Sequence, residues 1–265
     1  MSNRSLRAAL VAVALVVLAA ASVAAQATNK PFSPPRTPDG KPDLQGVWQA
    51  LNAAHWDLED HSAKAIPGAS PADGVLAGAG VVDGPIPYKP EALKRRQENA
   101  ANRRMLDPLH KCYLPGIPRI MYMPFAFQIF QTPQMVSMAF EYVHAFRSIY
   151  TDGSMHPAGH IDWWMGDSRG HWEGDTLVVD VTHHTPDTWF DRAGNYHSDA
   201  LHLVERYTLL GPDHMNYEAT VEDPRVFTRP WKMHMVMYRR KEAFPQLLEY
   251  ECYSLEGTHA PISSR

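Results

Sequence analysis

The sequence predicts a mainly β domain: an antiparallel up-and-down barrel or sandwich of lipocalin-like type, with an extended N-terminal arm and one helix near residues 90–105. Three observations lead there. Runs rich in β-branched and aromatic residues recur through the second half of the chain at spacings of roughly 8 to 12 residues. Clusters of Gly, Pro, Asp and Thr with turn chemistry separate them. Almost no helical period falls between them, which argues against alternating βαβ units.

Residues 1–25 carry the three parts of an export signal: Arg4 and Arg7, an apolar run from Ala8 to Ala21, and small residues ending Val23-Ala24-Ala25 before Gln26. A run of roughly 14 residues is shorter than the about 20 a membrane span needs. No cysteine follows the small residues, so a lipid anchor is not expected either. The mature chain is therefore expected to be periplasmic or secreted, with no membrane span after processing.

Residues 26–43 are rich in proline and polar residues and read as an extended lead-in without a core of its own. A single domain then fills 44–265. Gly46-Val47-Trp48 opens its first strand, and a loop and helix are inserted at about 52–110. Within the insertion, His55 to Pro87 is a long loop of Gly, Ala and Pro. The helix is "KPEALKRRQENAANRRM", with Pro90 in its first turn and Glu91 near the positive end of the dipole.

"FQIFQ" and "MVSMAFEYVHAFRSIY" read as two strands joined by Thr132-Pro133-Gln134, the second ending at Thr151-Asp152-Gly153. "LHLVERYTLL" and "MNYEATVE" flank Gly211-Pro212-Asp213, a hairpin signal. "WKMHMVMYRR" puts Met233, Met235 and Met237 on one face. "QLLEYECYS" alternates in the same way and reads as a final strand, with Glu249 on the Leu247 face.

The formal charge is −4, and more negative once Arg4 and Arg7 are removed, so nucleic acid and anionic membranes are poor partners. The two cysteines, Cys112 and Cys252, are expected to pair in an oxidising compartment.

Gly166-Asp167-Ser168-Arg169-Gly170 fits the G-x-S-x-G pattern of many serine hydrolases. A nucleophile elbow needs a helix directly after the serine, because that turn and the helix N-terminus hold the hydroxyl and the oxyanion donors. Here Glu173-Gly174-Asp175 and the strand "TLVVDV" follow instead. Ser168 is therefore expected in a hairpin.

The run "GDSRGHWEGDTLVVDV", with "RSIYTDG" and His156-Pro157 before it and "LVERY", "VEDP" and "RPW" after it, resembles a large uncharacterised family of secreted bacterial proteins. The likeness extends to "DGKPDLQGVW" and "DPLHKCYLPGIPR" and covers most of the mature chain. One departure stands out: the family tail reads cysteine, histidine, glutamate, whereas Cys252 here precedes Tyr253 and Ser254. No role of that tail histidine is carried over. The Gly-x-Trp opening and the strand pattern also resemble lipocalin-like calycin barrels, an analogy of fold and not of activity.

Several groupings point to chemistry. "HPAGHIDWWMGD" places His156, His160, Asp162, Trp163 and Trp164 in one loop, a combination suited to lining a pocket. Glu205 shares the interior-type face of its strand with Leu201, Leu203 and Tyr207, whereas Arg206 lies with His202 and Val204 on the other. A buried carboxylate must find a partner or take up a proton, so Glu205 is either a general acid or base, or half of a salt bridge. Glu249 raises the same choice.

Arg147 reads as a support for the turn at Asp152, and His144 as a packed or solvated side chain. The 14 histidines keep a Zn or Cu site in view, through His156 with His160 or through His183 or His184 with His197 and His202. His183 and His184, adjacent on an extended chain, point to opposite sides and do not chelate together.

The primary expectation is a cofactor-independent hydrolase, isomerase or lyase acting on a small hydrophobic or aromatic compound in a barrel cavity. Its catalytic groups would be His160, His202, Glu205, Arg206 and His234, and its ligand-lining groups His156, Trp163, Trp164 and Glu249. The alternatives are a periplasmic binding or interaction protein without catalysis, and a histidine-ligated metal enzyme.

Overall fold

A computed structural model describes residues 32–62 and 77–252 of the chain. The expected leader, residues 26–31 of the lead-in, and Tyr253 and Ser254 lie outside the described residues. The chain divides into two units, Met1–Ser33 and Pro34–Arg265. The first contributes only Phe32 and Ser33 to the described residues. All that follows concerns the second.

Among its described residues, nine strands close into a barrel in sequence order. They are β1 (Gly46–Ala50), β2 (Phe127–Gln131), β3 (Met135–Phe140), β4 (Phe146–Tyr150), β5 (Asp167–Glu173), β6 (Thr176–Thr182), β7 (His202–Gly211), β8 (His214–Glu222) and β9 (Trp231–Arg239). The helices α1 (Pro90–Ala101) and α2 (Arg103–Leu106) fall where one helix was expected. Neighbouring strands are antiparallel except β4 and β5, which run parallel. The exception is forced, because a closed ring with an odd number of strands cannot alternate direction all the way round.

Period-two alternation fills the interior. Leu203, Glu205, Tyr207 and Leu209 of β7 point inward, as do Met215, Tyr217, Ala219 and Val221 of β8 and Met233, Met235 and Met237 of β9. These side chains occupy the lumen, so the barrel cavity expected for a ligand is packed core. β1 completes the ring by pairing Gly46 with Ile129 on one side and Trp48 with Arg239 on the other. Gly46 has φ +129°, and a side chain there would collide with Arg239 Nη1, which bonds the Gln45 carbonyl. The Arg239 guanidinium lies 4.2 Å above the Trp48 ring.

Two sequence expectations are corrected. The run "MVSMAFEYVHAFRSIY" is two strands, β3 and β4, because the chain reverses over Tyr142–Ala145 with Ala145 N–H donating to the Tyr142 carbonyl (3.1 Å). Val143 and His144 take φ +48° and +51° there, a conformation that a β-branched residue such as Val143 rarely adopts. Residues 247–252 form no strand: β9 is already paired with both β8 and β1, so no free edge remains for them. Glu249 is consequently exposed and not turned into a cavity.

Cys112 and Cys252 are joined in a disulfide with a Cα–Cα distance of 5.5 Å. Such a bridge persists in oxidising compartments. No helix among the described residues is long and apolar enough to cross a membrane.

Candidate ligand groove at the parallel seam

β3 is paired along nearly the whole of β4, but β5 meets β4 only at Ile149↔Ser168 and Tyr150↔Arg169. Before these pairs the two strands diverge, and a groove of about 380 Å³ opens between Phe146–Ser148 and Met165–Ser168, with Leu114, Trp163 and Trp164 along it. The crossover loop that a parallel pair requires supplies the tryptophans. It is fastened by Trp163 N–H donating to the His183 carbonyl (2.9 Å) and Thr185 N–H donating to the Trp163 carbonyl (3.1 Å). The loop then turns at Gly166, φ +65°, where a Cβ would lie 2.9 Å from both His184 Cε1 and Val181 Cγ1. Only glycine fits that approach. Phe146, Tyr150 and Trp163 remain exposed along the groove.

Inside the wall, the split is filled by a polar cluster. Arg147 donates from Nη1 to Glu205 Oε1 (3.2 Å) and from Nη2 to Glu205 Oε2, and both Nε and Nη2 reach Ser168 Oγ (3.1 and 3.0 Å). Tyr207 and Tyr217 donate their hydroxyls to Glu205 Oε1 at 3.0 and 2.8 Å. All five side chains are buried. Burial alone would pull the Arg147 guanidinium down, but the Glu205 carboxylate and the two tyrosine oxygens more than reverse this and hold it above its ordinary value. Burial pushes the Tyr207 and Tyr217 phenols far up, so both remain neutral donors.

Ser168 thus sits on a strand of a hairpin with its hydroxyl against a guanidinium, an arrangement without a general base. Glu205 faces the interior as the alternation implies, but it is sealed in and its oxygens are taken by Arg147, Tyr207 and Tyr217. Arg147, expected to brace the turn at Asp152, points the other way.

On the outer face a second chain of charges runs away from the groove. Arg169 holds Asp167 through Nε and Nη2 (2.7 and 2.9 Å). Asp167 Oδ1 meets His156 Nδ1 at 2.6 Å, and His156 Nε2 meets Asp180 Oδ1 at 2.8 Å. Asp180 Oδ2 then meets His202 Nε2 at 2.7 Å. Burial pushes the Asp167 carboxyl up, but Arg169 and His156 outweigh it and hold it below the usual range. The hydrogen bond from His202 does the same for Asp180, and in return raises the His202 imidazole.

The expected site residues therefore separate. Trp163 and Trp164 line the groove, and His156 stands behind its Asp167. His202 carries the outer charge chain on from Asp180 to Glu222 (Nδ1–Oε2 3.8 Å), and Arg206 lies on the outer face against Glu173 (2.9 Å). His160 is exposed on the crossover loop. His234 projects from β9 on the opposite side of the ring, 3.4 Å from Asp83. His183 leans toward His156 and Trp163, whereas His184 is buried against His197, so the doublet is split to opposite sides. Among the described residues no three His, Cys, Asp or Glu side chains converge on a metal-sized site.

Asp167, Asp180, Tyr207 and Tyr217 were not proposed as site residues from the sequence, and Arg147 was read there only as a support for the turn at Asp152. Alternation with Ile149 would have placed Arg147 inside, but strand pairing across the ring is what joins it to Glu205. Comparison of the chain with protein families, curated proteins and solved structures yields no match.

Proposed function

We propose that this chain is a periplasmic or secreted binding protein that holds a small hydrophobic or aromatic molecule in the groove at the β4–β5 seam. The observation that carries this reading is the set of aromatic side chains around about 380 Å³: Phe146, Tyr150 and Trp163, which are exposed, and Trp164, which is half-buried against Tyr113. That volume lies in the range of small-molecule sites, and flat rings bury large area at low entropic cost. Binding is preferred to catalysis because Glu205, the carboxylate that an acid–base mechanism would use, is buried and fully hydrogen-bonded.

Titration with the uncharged fluorophore N-phenyl-1-naphthylamine tests the reading. The full chain is expected to bind it, and a Phe146→Ala/Trp163→Ala/Trp164→Ala variant to bind at least about tenfold more weakly. Folded protein that ignores the probe, or a triple variant that binds it equally, rejects the proposal.

One observation favours an enzymatic second reading: Asp167 lines the groove and shares a 2.6 Å hydrogen bond with His156. Acid–base chemistry on an aromatic ester would run through that pair. Turnover that disappears in Asp167→Asn, with the melting temperature retained, would support it; equal turnover would remove it.

A further inference from the structure

A parallel pair of strands needs a long connection, and the loop between β4 and β5 spans residues 151–166. Backbone bonds at Trp163 fasten its far end. Over residues 152–163 only His156 and Pro157 are partly covered, and all the others are exposed. Before Trp163 the loop is tied to the barrel at three points. The Gly159 carbonyl lies 3.3 Å from His183 Nε2, Ser154 Oγ accepts from Arg169 Nη1 (2.5 Å), and His156 reaches two acids.

Those acids stand on different strands: His156 Nδ1 is 2.6 Å from Asp167 of β5 and Nε2 is 2.8 Å from Asp180 of β6. An ionised carboxylate only accepts, so both contacts are hydrogen bonds only when both ring nitrogens carry a proton, and a neutral imidazole carries one. Burial raises the Asp167 carboxyl but Arg169 outweighs it, and the hydrogen bond from His202 lowers the Asp180 carboxyl. Both acids are therefore ionised at neutral pH, and the second proton belongs to the ring. Around this bridge stand the His183 ring, 6.0 Å away just past β6, Arg169 behind Asp167, and His202 of β7 behind Asp180, with Glu222 of β8 beyond it at 3.8 Å.

We propose that His156 is a pH-sensitive latch on the loop that carries Trp163 and Trp164, closed while its imidazolium bridges Asp167 and Asp180 and open once the ring is neutral. The inference rests on the binding reading of the seam groove, whose regulation it supplies. Once one proton is lost, a ring nitrogen turns a lone pair toward a carboxylate, and a contact that held the loop repels it. The His202 imidazole, raised by its hydrogen bond to Asp180, acts with the same sign: its contribution is present at low pH and lost as pH rises through that raised value. Alkaline solution therefore frees the loop and loosens the tryptophan wall of the groove.

A nitroxide on Met155→Cys, beside His156 at a position 87% exposed, reads the loop without any ligand in the full, disulfide-intact chain. Its rotational correlation time, followed by electron paramagnetic resonance, is expected to shorten at least about twofold between pH 6 and pH 9. Asp180→Asn in the same background should stay slow at both pH values, because the carboxamide offers its oxygen to His202 and an N–H to the lone pair of a neutral His156. His156→Ala should be fast at both, and His202→Gln should keep the step. In the unlabelled chain, N-phenyl-1-naphthylamine should bind at least about threefold more weakly at pH 9 than at pH 6, and equally at both in Asp180→Asn. No step in the label, a step that survives in His156→Ala or Asp180→Asn, a step that vanishes in His202→Gln, or a probe affinity flat with pH in the unmodified chain overturns the latch. A label that steps as expected on a chain that never binds the probe rejects the groove reading instead.

Discussion

Arg147→Met is the most informative single change to the barrel. The residue is 2% exposed, Glu205 is 0% exposed, and each is the other's only counter-charge in the cluster of Ser168, Tyr207 and Tyr217. Methionine approximates the stem of arginine, so packing loss is small and the dominant effect is a carboxylate left buried beside two neutral hydroxyls. Removing one partner of a buried pair costs about 3 to 5 kcal/mol. At about 2 to 4 °C per kcal/mol for a domain of this size, the melting temperature should fall by roughly 6 to 20 °C. The Arg147→Met/Glu205→Gln double variant keeps an oxygen for Tyr207 and Tyr217 and buries no charge. It should therefore lose less than the two single variants together, with a coupling above about 2 kcal/mol. Urea denaturation of all four proteins at pH 7, followed by circular dichroism, gives both numbers. A loss below about 1 kcal/mol in Arg147→Met, or strict additivity across the cycle, would refute the idea that this pair plugs the seam.

Burial pushes the His184 imidazole well below its ordinary value of 6.5, with His197 and Arg147 adding to the effect. The unfolded chain therefore takes up the proton first as pH falls below about 6.5, and the stability from this site is lost on acidification, at about 1.4 kcal/mol per pH unit. His184→Phe should flatten the decline of urea midpoints between pH 6.5 and 5; an unchanged slope rejects the assignment. Cys112→Ser/Cys252→Ser opens a loop with a sequence separation of 140 and should cost about 3 to 5 kcal/mol in the chain-entropy account, read as a drop in urea midpoint. Gly166→Ala, at φ +65° and against His184 and Val181, should lose about 1 to 3 kcal/mol, and a neutral result in the same assay would show that the turn relaxes freely.

What the sequence made legible was local and periodic. The interior face of β7 was readable because Leu203, Glu205 and Tyr207 alternate with His202, Val204, Arg206 and Thr208, a mostly polar set, and the methionine face of β9 was readable for the same reason. The hairpin after Ser168 announced itself through Glu173-Gly174-Asp175. The reversal at Val143 and His144 did not, because it carries no Gly, Pro, Asn or Asp and opens its positive-φ pair on a β-branched residue. "QLLEYECYS" alternates like a strand, yet pairing is a property of edges, and β1 had taken the available one. Arg147 could be assigned to the wrong acid because its distance from Asp152 is visible along the chain, whereas its contact with Glu205 depends on which strands become neighbours around the ring. The tryptophans of the groove were recognisable as pocket residues, but the space they line exists only because two parallel strands share just two pairs and lie apart before them.

The place of β1 has a consequence for synthesis. It binds β2 and also β9, so a nascent chain that has not released Trp231–Arg239 keeps two unsatisfied hydrogen-bonding borders, one on β1 and one on β8. Until the ribosome delivers that last segment the cylinder cannot shut, and those borders are where a stalled or truncated copy would stick to another.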